Sequence, residues 1–201
     1  ELIDALVARA GSDPAVLFQR RLSYRETRNY WAQLGVTESE KVDDAALLPA
    51  PRVCLYSKSD FFKHPLPIDA IAALVDNFVK GRNPGEDREL DFMPWASGYN
   101  RVPADATAFV HRDELFLLKH AAALAPHATP HEKEAARRWV TRSWRLLHSW
   151  GTHRAFQNFA DPDLRAWGAA YYGSNYARLV RVKARYDPSN FFRFHQSLPT
   201  R

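Results

Sequence analysis

The length, composition and charge of the chain indicate a globular protein, because 46% of its 201 residues are hydrophobic and 13% are aromatic. The formal net charge of +5 at pH 7 would suit a nucleic-acid partner, but acidic residues are interspersed and no nucleic-acid-binding motif is present. One cysteine, Cys54, excludes an internal disulfide, and no apolar run is long enough to span a membrane. We therefore expect a soluble protein, with the cytoplasm favoured by the single cysteine and with neither a nucleic acid nor a membrane as partner.

The first quarter of the chain predicts two helices and a loop. Apolar residues that share one helical face before Gly11 predict the first helix. Ser23 and Glu26 have the spacing of a capping box, which predicts a second helix that ends near Leu34. The stretch 36–51 is polar and ends in prolines, so it predicts a loop.

The middle of the chain predicts strands around one helix. Residues 52–62 are rich in β-forming side chains and predict a strand. Apolar residues at helical spacing over 68–78 predict a helix that a glycine and a proline end. Two further strands are predicted over 88–95 and 107–124, with a turn-rich segment between them.

The last third predicts helices and an ordered tail. A capped start at Thr129 and Pro130 predicts a helix that runs to about Ser149. Shorter helices are predicted over 164–172 and 175–186, after an irregular connection. Strands separated by long helices favour an α+β fold, in which an antiparallel sheet carries helices on one face.

Short sequence motifs alone do not indicate which reaction or ligand the protein has. The sequence has no glycine-rich nucleotide loop and no zinc signature. His127 and His131 are separated by a proline at a helix start, so a surface pair is favoured over a metal site, and we expect no metal. His111 and Arg112 fall inside the predicted strand 107–124 and mark either a site or a structural ion pair, with the ion pair favoured.

A family resemblance supplies the chemistry. The segment from Ala155 to Pro199, AFQNFADPDLRAWGAAYYGSNYARLVRVKARYDPSNFFRFHQSLP, resembles the C-terminal signature of the berberine-bridge-enzyme-like FAD-linked oxidases. Upstream, TAFVHR resembles the TAFPHR stretch of that family, with Val110 in place of the usual proline. YSKSDFFKHPLP resembles the strand and turn that open its substrate-domain helix.

The resemblance implies that the chain is the C-terminal fragment of an enzyme with the vanillyl-alcohol-oxidase fold. Residues 1–150 would form the substrate-binding domain, and residues 151–201 a segment that returns to an N-terminal FAD-binding domain outside this chain. That domain would bind most of the FAD and would be a partner, together with a small-molecule substrate. Phe191, Phe192 and Phe194 would either pack on it or close the core of their own domain.

The resemblance also implies a site beside the flavin. Phe156, Asn158 and Phe159 stand in the Y-x-N-Y motif of the family, which places Asn158 by the isoalloxazine; alternatively, Asn158 caps the turn before Asp161. The family often uses a tyrosine of this motif as the base. That role is vacant here, because phenylalanine has no titratable group.

A second candidate base comes from the strand after the HR motif, where relatives direct a Glu or Gln towards the substrate. By register this position maps to Leu118 or His120. Only His120 can act as a general base, since the unperturbed pKa of histidine is about 6.5; a hydrogen-bonded core histidine is the alternative. Strand alternation places Leu117 and Lys119 on the face opposite His120.

The remaining site residues implied by the resemblance are Tyr99, Asn100, Tyr172 and Asn175. The first two stand in a turn where relatives have a glycine pair, and they would border the substrate pocket with Phe156, Phe159 and Leu118. Tyr172 and Asn175 match a further family motif and would be structural or face the flavin.

Two classes of function stay open. In the first, the protein is an FAD-dependent oxidase or dehydrogenase that transfers a hydride from an alcohol or amine carbon to the flavin, with O₂ as acceptor. In the second, it is a truncated or degenerate homologue that keeps the fold without catalysis. Nucleic-acid binding rests on charge alone and ranks last.

Overall fold

The structure of the protein, a computed structural model, describes residues 2–11, 20–33, 54–82 and 86–201. These residues belong to two units, Glu1–Pro51 and Arg52–Arg201. The predicted loop over 36–51 lies outside the described residues.

The N-terminal unit holds two helices, α1 (Leu2–Ala10) and α2 (Tyr24–Gln33). Gly11 follows α1 with a φ of 70°, the left-handed conformation that commonly ends a helix. The predicted capping box precedes α2: the Ser23 N–H donates to Glu26 Oε2 (2.7 Å), and the Glu26 N–H donates to Ser23 Oγ (3.3 Å). Both helices confirm the sequence prediction, because stop and cap signals act locally.

The C-terminal unit is built on a three-stranded antiparallel sheet in the order β1–β3–β2. The strands are β1 (Cys54–Phe62), β2 (Asp87–Pro94) and β3 (Phe116–Leu124). β3 is central, and Lys58 of β1 and Leu90 of β2 both lie opposite His120.

Two helices, α3 (Ile68–Val79) and α4 (Pro130–Leu147), cover one face of this sheet. Thr129 caps α4, since its Oγ1 accepts a hydrogen bond from the Glu132 N–H at 3.3 Å. The core between the sheet and the helices consists of apolar side chains from every layer: Phe62, Leu74, Leu118, Ala122, Trp139, Val140 and Leu147. The predicted α+β class, with helices on one face of an antiparallel sheet, is confirmed.

The third predicted strand is shorter than expected. β3 starts at Phe116, because its partners β1 and β2 end opposite that residue, at Phe62 and Pro94. The prediction that His111 and Arg112 lie inside a strand is therefore wrong. The Arg112 guanidinium instead donates hydrogen bonds to backbone carbonyls and to the Thr107 hydroxyl in the irregular segment before β3.

The C-terminal segment carries two further helices, α5 (Trp167–Tyr172) and α6 (Tyr176–Tyr186). α5 starts later than predicted because Asp161 holds a turn, in which its Oδ1 accepts from the N–H of Asp163 at 2.9 Å. The segment belongs to the same unit as the sheet, and Asp161 is bound to Lys58 of β1 at 2.6 Å. Residue 150 is thus no boundary between structural units, and the functional division there stays a prediction.

Candidate active site

The sheet face opposite α3 and α4 carries a group of aromatic side chains that we call the aromatic cluster. It consists of Phe61, Trp95, Phe109, Phe156 and Phe159, packed around Leu117 of β3. The ring of Phe156 lies 5.3 Å from that of Trp95 and 5.3 Å from that of Phe159, in edge-on contacts. Two of the predicted pocket residues, Phe156 and Phe159, therefore meet in one place.

A loop along the edge of β1 positions Phe156. The Thr152 N–H donates to the carbonyl of Phe61 (2.8 Å), and the Phe61 N–H donates to the carbonyl of Arg154 (3.2 Å). The Phe156 N–H then donates to Ser59 Oγ (3.1 Å). Because these bonds tie the loop to a strand, the aromatic side chains sit on a rigid support.

A charged group borders the aromatic cluster at Phe159. Lys119 Nζ lies 4.9 Å from the centre of the Phe159 ring, 2.7 Å from Glu89 Oε1 and 3.4 Å from Asp91 Oδ2. The side chain of Lys119 is only 12% exposed, so an aromatic face and two carboxylates replace most of its water. The sequence did not single out this group, although alternation along β3 already predicted that Lys119 and His120 point to different faces of the sheet.

Leu118 and His120 lie on the other face of β3, against the helices. Both are fully buried, and His120 Nδ1 is 2.9 Å from Ser143 Oγ of α4. Burial lowers the pKa of His120 to about 3. Leu118 and His120 thus lie on the sheet face away from Phe156 and Phe159, because alternate residues of a strand point to opposite faces, and the pocket role of Leu118 stays a prediction. A catalytic role for His120 stays an untested prediction.

Of the two residues predicted to border the pocket, Tyr99 contacts the aromatic cluster. Its ring stacks on Trp95 with centroids 4.9 Å apart, and the residue is 50% exposed. Asn100 instead ties the turn to the start of β3, because its Nδ2 donates to the carbonyl of Glu114 at 2.9 Å.

The three predicted cofactor contacts lie in different surroundings. Asn158 is exposed in the turn between Phe156 and Phe159. Asn175 is buried, and its Nδ2 donates to the carbonyls of Ala104 (2.6 Å) and Thr107 (3.1 Å), which makes it a structural tie. Tyr172 is half-buried beside Tyr171, and burial raises its pKa.

Two buried titratable residues lie behind the aromatic cluster. His111 stacks on Phe61 with ring centroids 4.1 Å apart, and burial, with the charge of Arg154, lowers its pKa to about 4. Burial and the neighbouring Asp113 raise the pKa of Glu114 to about 6. The charge of Arg154, whose Nη1 lies 3.8 Å from Glu114 Oε1, acts in the opposite direction. His111 is therefore neutral at pH 7, in keeping with a structural role.

A groove of about 950 Å³ lies elsewhere, on the helix-covered side along α4. Its basic lining residues are largely paired: Lys58 with Asp161, Arg137 with Asp163, and Arg88 with Glu86. Because its charges are largely paired and it does not contain the aromatic cluster, this groove does not fit the predicted site beside a flavin.

Comparisons with known proteins agree with the resemblance seen in the sequence. The family model described as berberine and berberine like matches residues 155–199, the segment that carries Phe156, Asn158 and Phe159. Berberine bridge enzyme-like 17 of Arabidopsis thaliana is 29% identical over 195 residues, which cover 89% of this chain and 36% of the relative. Over most of its length the chain is similar to berberine bridge enzyme-like proteins.

Other relatives and solved structures extend this similarity. The uncharacterized FAD-linked oxidoreductase YvdP of Bacillus subtilis is 35% identical over 141 residues, 70% of this chain and 30% of the relative. The solved structure of BBE-like 1 from Physcomitrella patens has 26% identity and a TM-score of 0.65, covering 85% of this chain and 37% of that one. BBE-like 28 from Arabidopsis thaliana has 22% identity and a TM-score of 0.71 over 99% of this chain and 45% of that one, which supports the fold.

The chain spans about a third of the length of the curated berberine bridge enzyme-like relatives that it matches. It corresponds to their C-terminal part. Among the residues that the structure describes, no helix is long and apolar enough to cross a membrane, and no three metal-ligating side chains converge.

FAD, the cofactor named for YvdP, can be tested against the side chains present. Cofactor sites are lined mostly by apolar and aromatic side chains, which the aromatic cluster and the half-exposed Tyr99 provide. The exposed amide of Asn158, in the turn between Phe156 and Phe159, can donate and accept hydrogen bonds. The sequence has no glycine-rich phosphate loop, so these residues fit contact with the ring rather than with the pyrophosphate.

Proposed function

We propose that this chain forms the substrate-facing part of an FAD-linked oxidoreductase that oxidises an alcohol or amine carbon, with O₂ as electron acceptor. The observation that carries the proposal is the aromatic cluster, because its Phe156 and Phe159 belong to the segment that matches the family model. FAD, when bound, supplies the hydride acceptor. The residues of this chain orient the substrate, exclude water and handle its proton.

Proton handling falls to the charged group at Phe159 in this proposal. The carboxylates of Glu89 and Asp91 are groups that can accept a substrate proton, and the ammonium of Lys119 between them can donate a hydrogen bond to a substrate oxygen. This group borders the aromatic cluster, whereas His120 faces α4. It therefore replaces the tyrosine base whose position Phe156 and Phe159 leave vacant.

The C-terminal tail supports the proposal that the chain has a flavin-binding domain as partner. Phe191, Phe192 and Phe194 are 77%, 74% and 68% exposed, which is unusual for phenylalanine. The tail is nevertheless ordered, because the carboxylate of Asp187 accepts from the N–H groups of Phe191 (2.7 Å) and Phe192 (3.1 Å). A rigidly held and exposed aromatic surface is suited to packing on another domain of the full-length protein.

The full-length protein tests the proposal. After purification, we expect the visible absorption of bound flavin, anaerobic loss of that absorption with at least one compound from a panel of alcohols, sugars and amines, and its return on admission of O₂. A preparation that binds no flavin would contradict the proposed function.

The alternative, a non-catalytic homologue, is favoured by one observation: neither Phe156 nor Phe159 carries a titratable group. Flavin that stays oxidised with every compound of the panel, in the parent and in the Phe159→Tyr variant, would support this alternative. Reduction in the variant alone would assign the loss of activity to the missing phenol.

A further inference from the structure

Three titratable side chains outside the aromatic cluster form a hydrogen-bonded series that we call the Asp–His–His chain. Asp60 Oδ2 lies 2.6 Å from His148 Nδ1, and His148 Nε2 lies 2.9 Å from His153 Nδ1. The side chain of Asp60 is 3% exposed and that of His148 is 32% exposed, while His153 is exposed. The series therefore leads from a buried carboxyl to the protein surface.

The surroundings fix the geometry of the Asp–His–His chain. The ring of Trp144 on α4 packs on His148 with centroids 3.9 Å apart. Gly151 leaves room for the carboxyl, since a Cβ there would lie 3.1 Å from Asp60 Cγ. His153 has a φ of 58°, which a residue with a side chain rarely adopts.

The groups that face Asp60 offset the effect of its burial only in part. Lys58, the next residue on the same face of β1, is already bound to Asp161, and Leu118 of β3 lies opposite Asp60. In the described part of the chain, the groups that act on the Asp60 carboxyl are His148, His153 and the Trp144 indole. Because an uncompensated buried carboxylate is costly, the cluster should hold a proton that Asp60 would lose in water.

Burial shifts both titratable groups towards their neutral forms. It raises the pKa of Asp60 to about 8, against a smaller opposing effect of His153, and it lowers the pKa of His148. Both shifts favour an Asp60–His148 pair that shares one proton and is neutral overall.

The Asp–His–His chain ends in the loop that carries the Phe156–Phe159 segment. The backbone bonds of Thr152 and Arg154 to Phe61 attach this loop to β1 on either side of His153. Any change that separates His153 from His148 therefore acts on the part of the loop that leads directly to Phe156.

We propose that the Asp–His–His chain is a proton-operated clamp: with its shared proton it holds residues 151–154 against β1, and loss of that proton releases them. Release would free Phe156 from its place in the aromatic cluster. The effect on oxidation rests on the proposed function, whereas the clamp itself does not.

The direction of the pH effect follows from the Asp60 and His148 shifts. In the clamped loop Asp60 keeps its proton up to about pH 8, whereas in water a carboxyl of this type loses it near a pH of about 4. Rising pH therefore favours the released loop up to about pH 8, and below about pH 6.5 the opposite shift of His148 offsets this trend. The released fraction should rise about tenfold in total between about pH 6.5 and 8, because the slope falls near both limits, and then level off.

Hydrogen exchange of the full-length protein, measured by mass spectrometry on a peptide spanning 151–156, tests the clamp. After correction for the intrinsic pH dependence of exchange, we expect a rise of about tenfold between pH 6.5 and 8 in the parent. Asp60→Asn keeps a hydrogen-bonding group but cannot titrate, so its corrected exchange should be flat over this range. Asp69→Asn, at an exposed position on α3, is the matched control and should follow the parent.

His153→Gln provides a second variant at an exposed position, where folding is not at risk. Glutamine keeps a group that can hydrogen-bond His148 Nε2, and because His153 lowers the pKa of Asp60, its loss should move the upper end of the transition to higher pH. The same pH dependence in the parent and in Asp60→Asn, or an unmoved transition in His153→Gln, would overturn the clamp. The exchange measurement does not depend on flavin chemistry, so a protein that oxidises nothing still gives a clear result.

Discussion

Lys119 and His120 are neighbours on β3, yet the two faces of the sheet give them opposite surroundings. On the helix-covered face, His120 is fully buried, bonded to Ser143 and held neutral by a pKa lowered to about 3. On the face of the aromatic cluster, Lys119 contacts two carboxylates and the ring of Phe159.

The difference shows how strongly one residue of register matters in a half-covered sheet. A shift of one residue along β3 leads from the buried imidazole of His120 to Lys119, which forms a group of three charges with two carboxylates at the edge of the aromatic cluster. Residue type alone favours histidine as a base, but burial against α4 separates it from Phe156 and Phe159. Substitutions on each face test this difference.

The largest effect on stability is expected on the helix-covered face. Leu118→Ala should reduce the free energy of unfolding by about 2–5 kcal/mol, because it leaves a cavity among Phe62, Leu74 and Leu147. Leu55→Ala is the matched control on the opposite face, where the residue is 54% exposed and should cost much less. Thermal unfolding of both variants measures the contrast, and equal losses would mean that the two faces do not differ in packing.

The largest effect on chemistry is expected on the face of the aromatic cluster. Lys119→Gln should slow flavin reduction in the full-length protein by about 10²–10³, the usual effect of removing a preorganised donor from an active site. His120→Gln, one residue away, should retain nearly the parent rate if the assignment to Lys119 is right. Stopped-flow reduction compares the two, and a slow His120→Gln with a fast Lys119→Gln would return the catalytic role to His120.

A smaller effect is expected in acid and again concerns the helix-covered face. Burial lowers the pKa of His120 to about 3, so its contribution to stability is present above about pH 6.5 and is lost as pH falls towards 3. The slope for this one group is about 1.4 kcal/mol per pH unit. Melting temperatures between pH 4 and 7 should fall less steeply in His120→Gln than in the parent.

His131→Gln is the control for the acid series, because His131 is exposed at the start of α4. It should keep the slope of the parent. An unchanged slope in His120→Gln would show that His120 is not held neutral by its surroundings.

The smallest effect is expected at a local signal that belongs to neither face. Thr129→Ala removes the cap of α4 and should cost about 1 kcal/mol. Thr141→Ala, inside the same helix, should be neutral or slightly stabilising because alanine is the better helix former. The free energies of unfolding of the two variants, measured by chemical unfolding, distinguish the effect of the cap from that of helix propensity. Equal free energies in the two variants would exclude a contribution from the cap.

Features that depend only on neighbouring residues could be predicted from the sequence. The capping boxes at Ser23 and Thr129 and the glycine stop at Gly11 are satisfied within four residues, so α1, α2 and the start of α4 could be predicted. The segment 155–199 identified the family because its motifs are contiguous. Phe156 and Phe159 were predicted as site residues because they belong to one of these motifs.

Features that depend on contacts between distant parts of the chain could be seen only in the folded structure. Alternation separates Lys119 from His120, but only the packing of α4 shows which face is covered and where the aromatic cluster forms. β3 is short because its partner strands end, a limit that its own sequence does not contain. Asp60 and His148 are 88 positions apart, and folding brings Asp60 Oδ2 to 2.6 Å from His148 Nδ1, where burial raises the pKa of Asp60. No local pattern predicts such a pair, because the energy that forms it comes from desolvation in the folded chain.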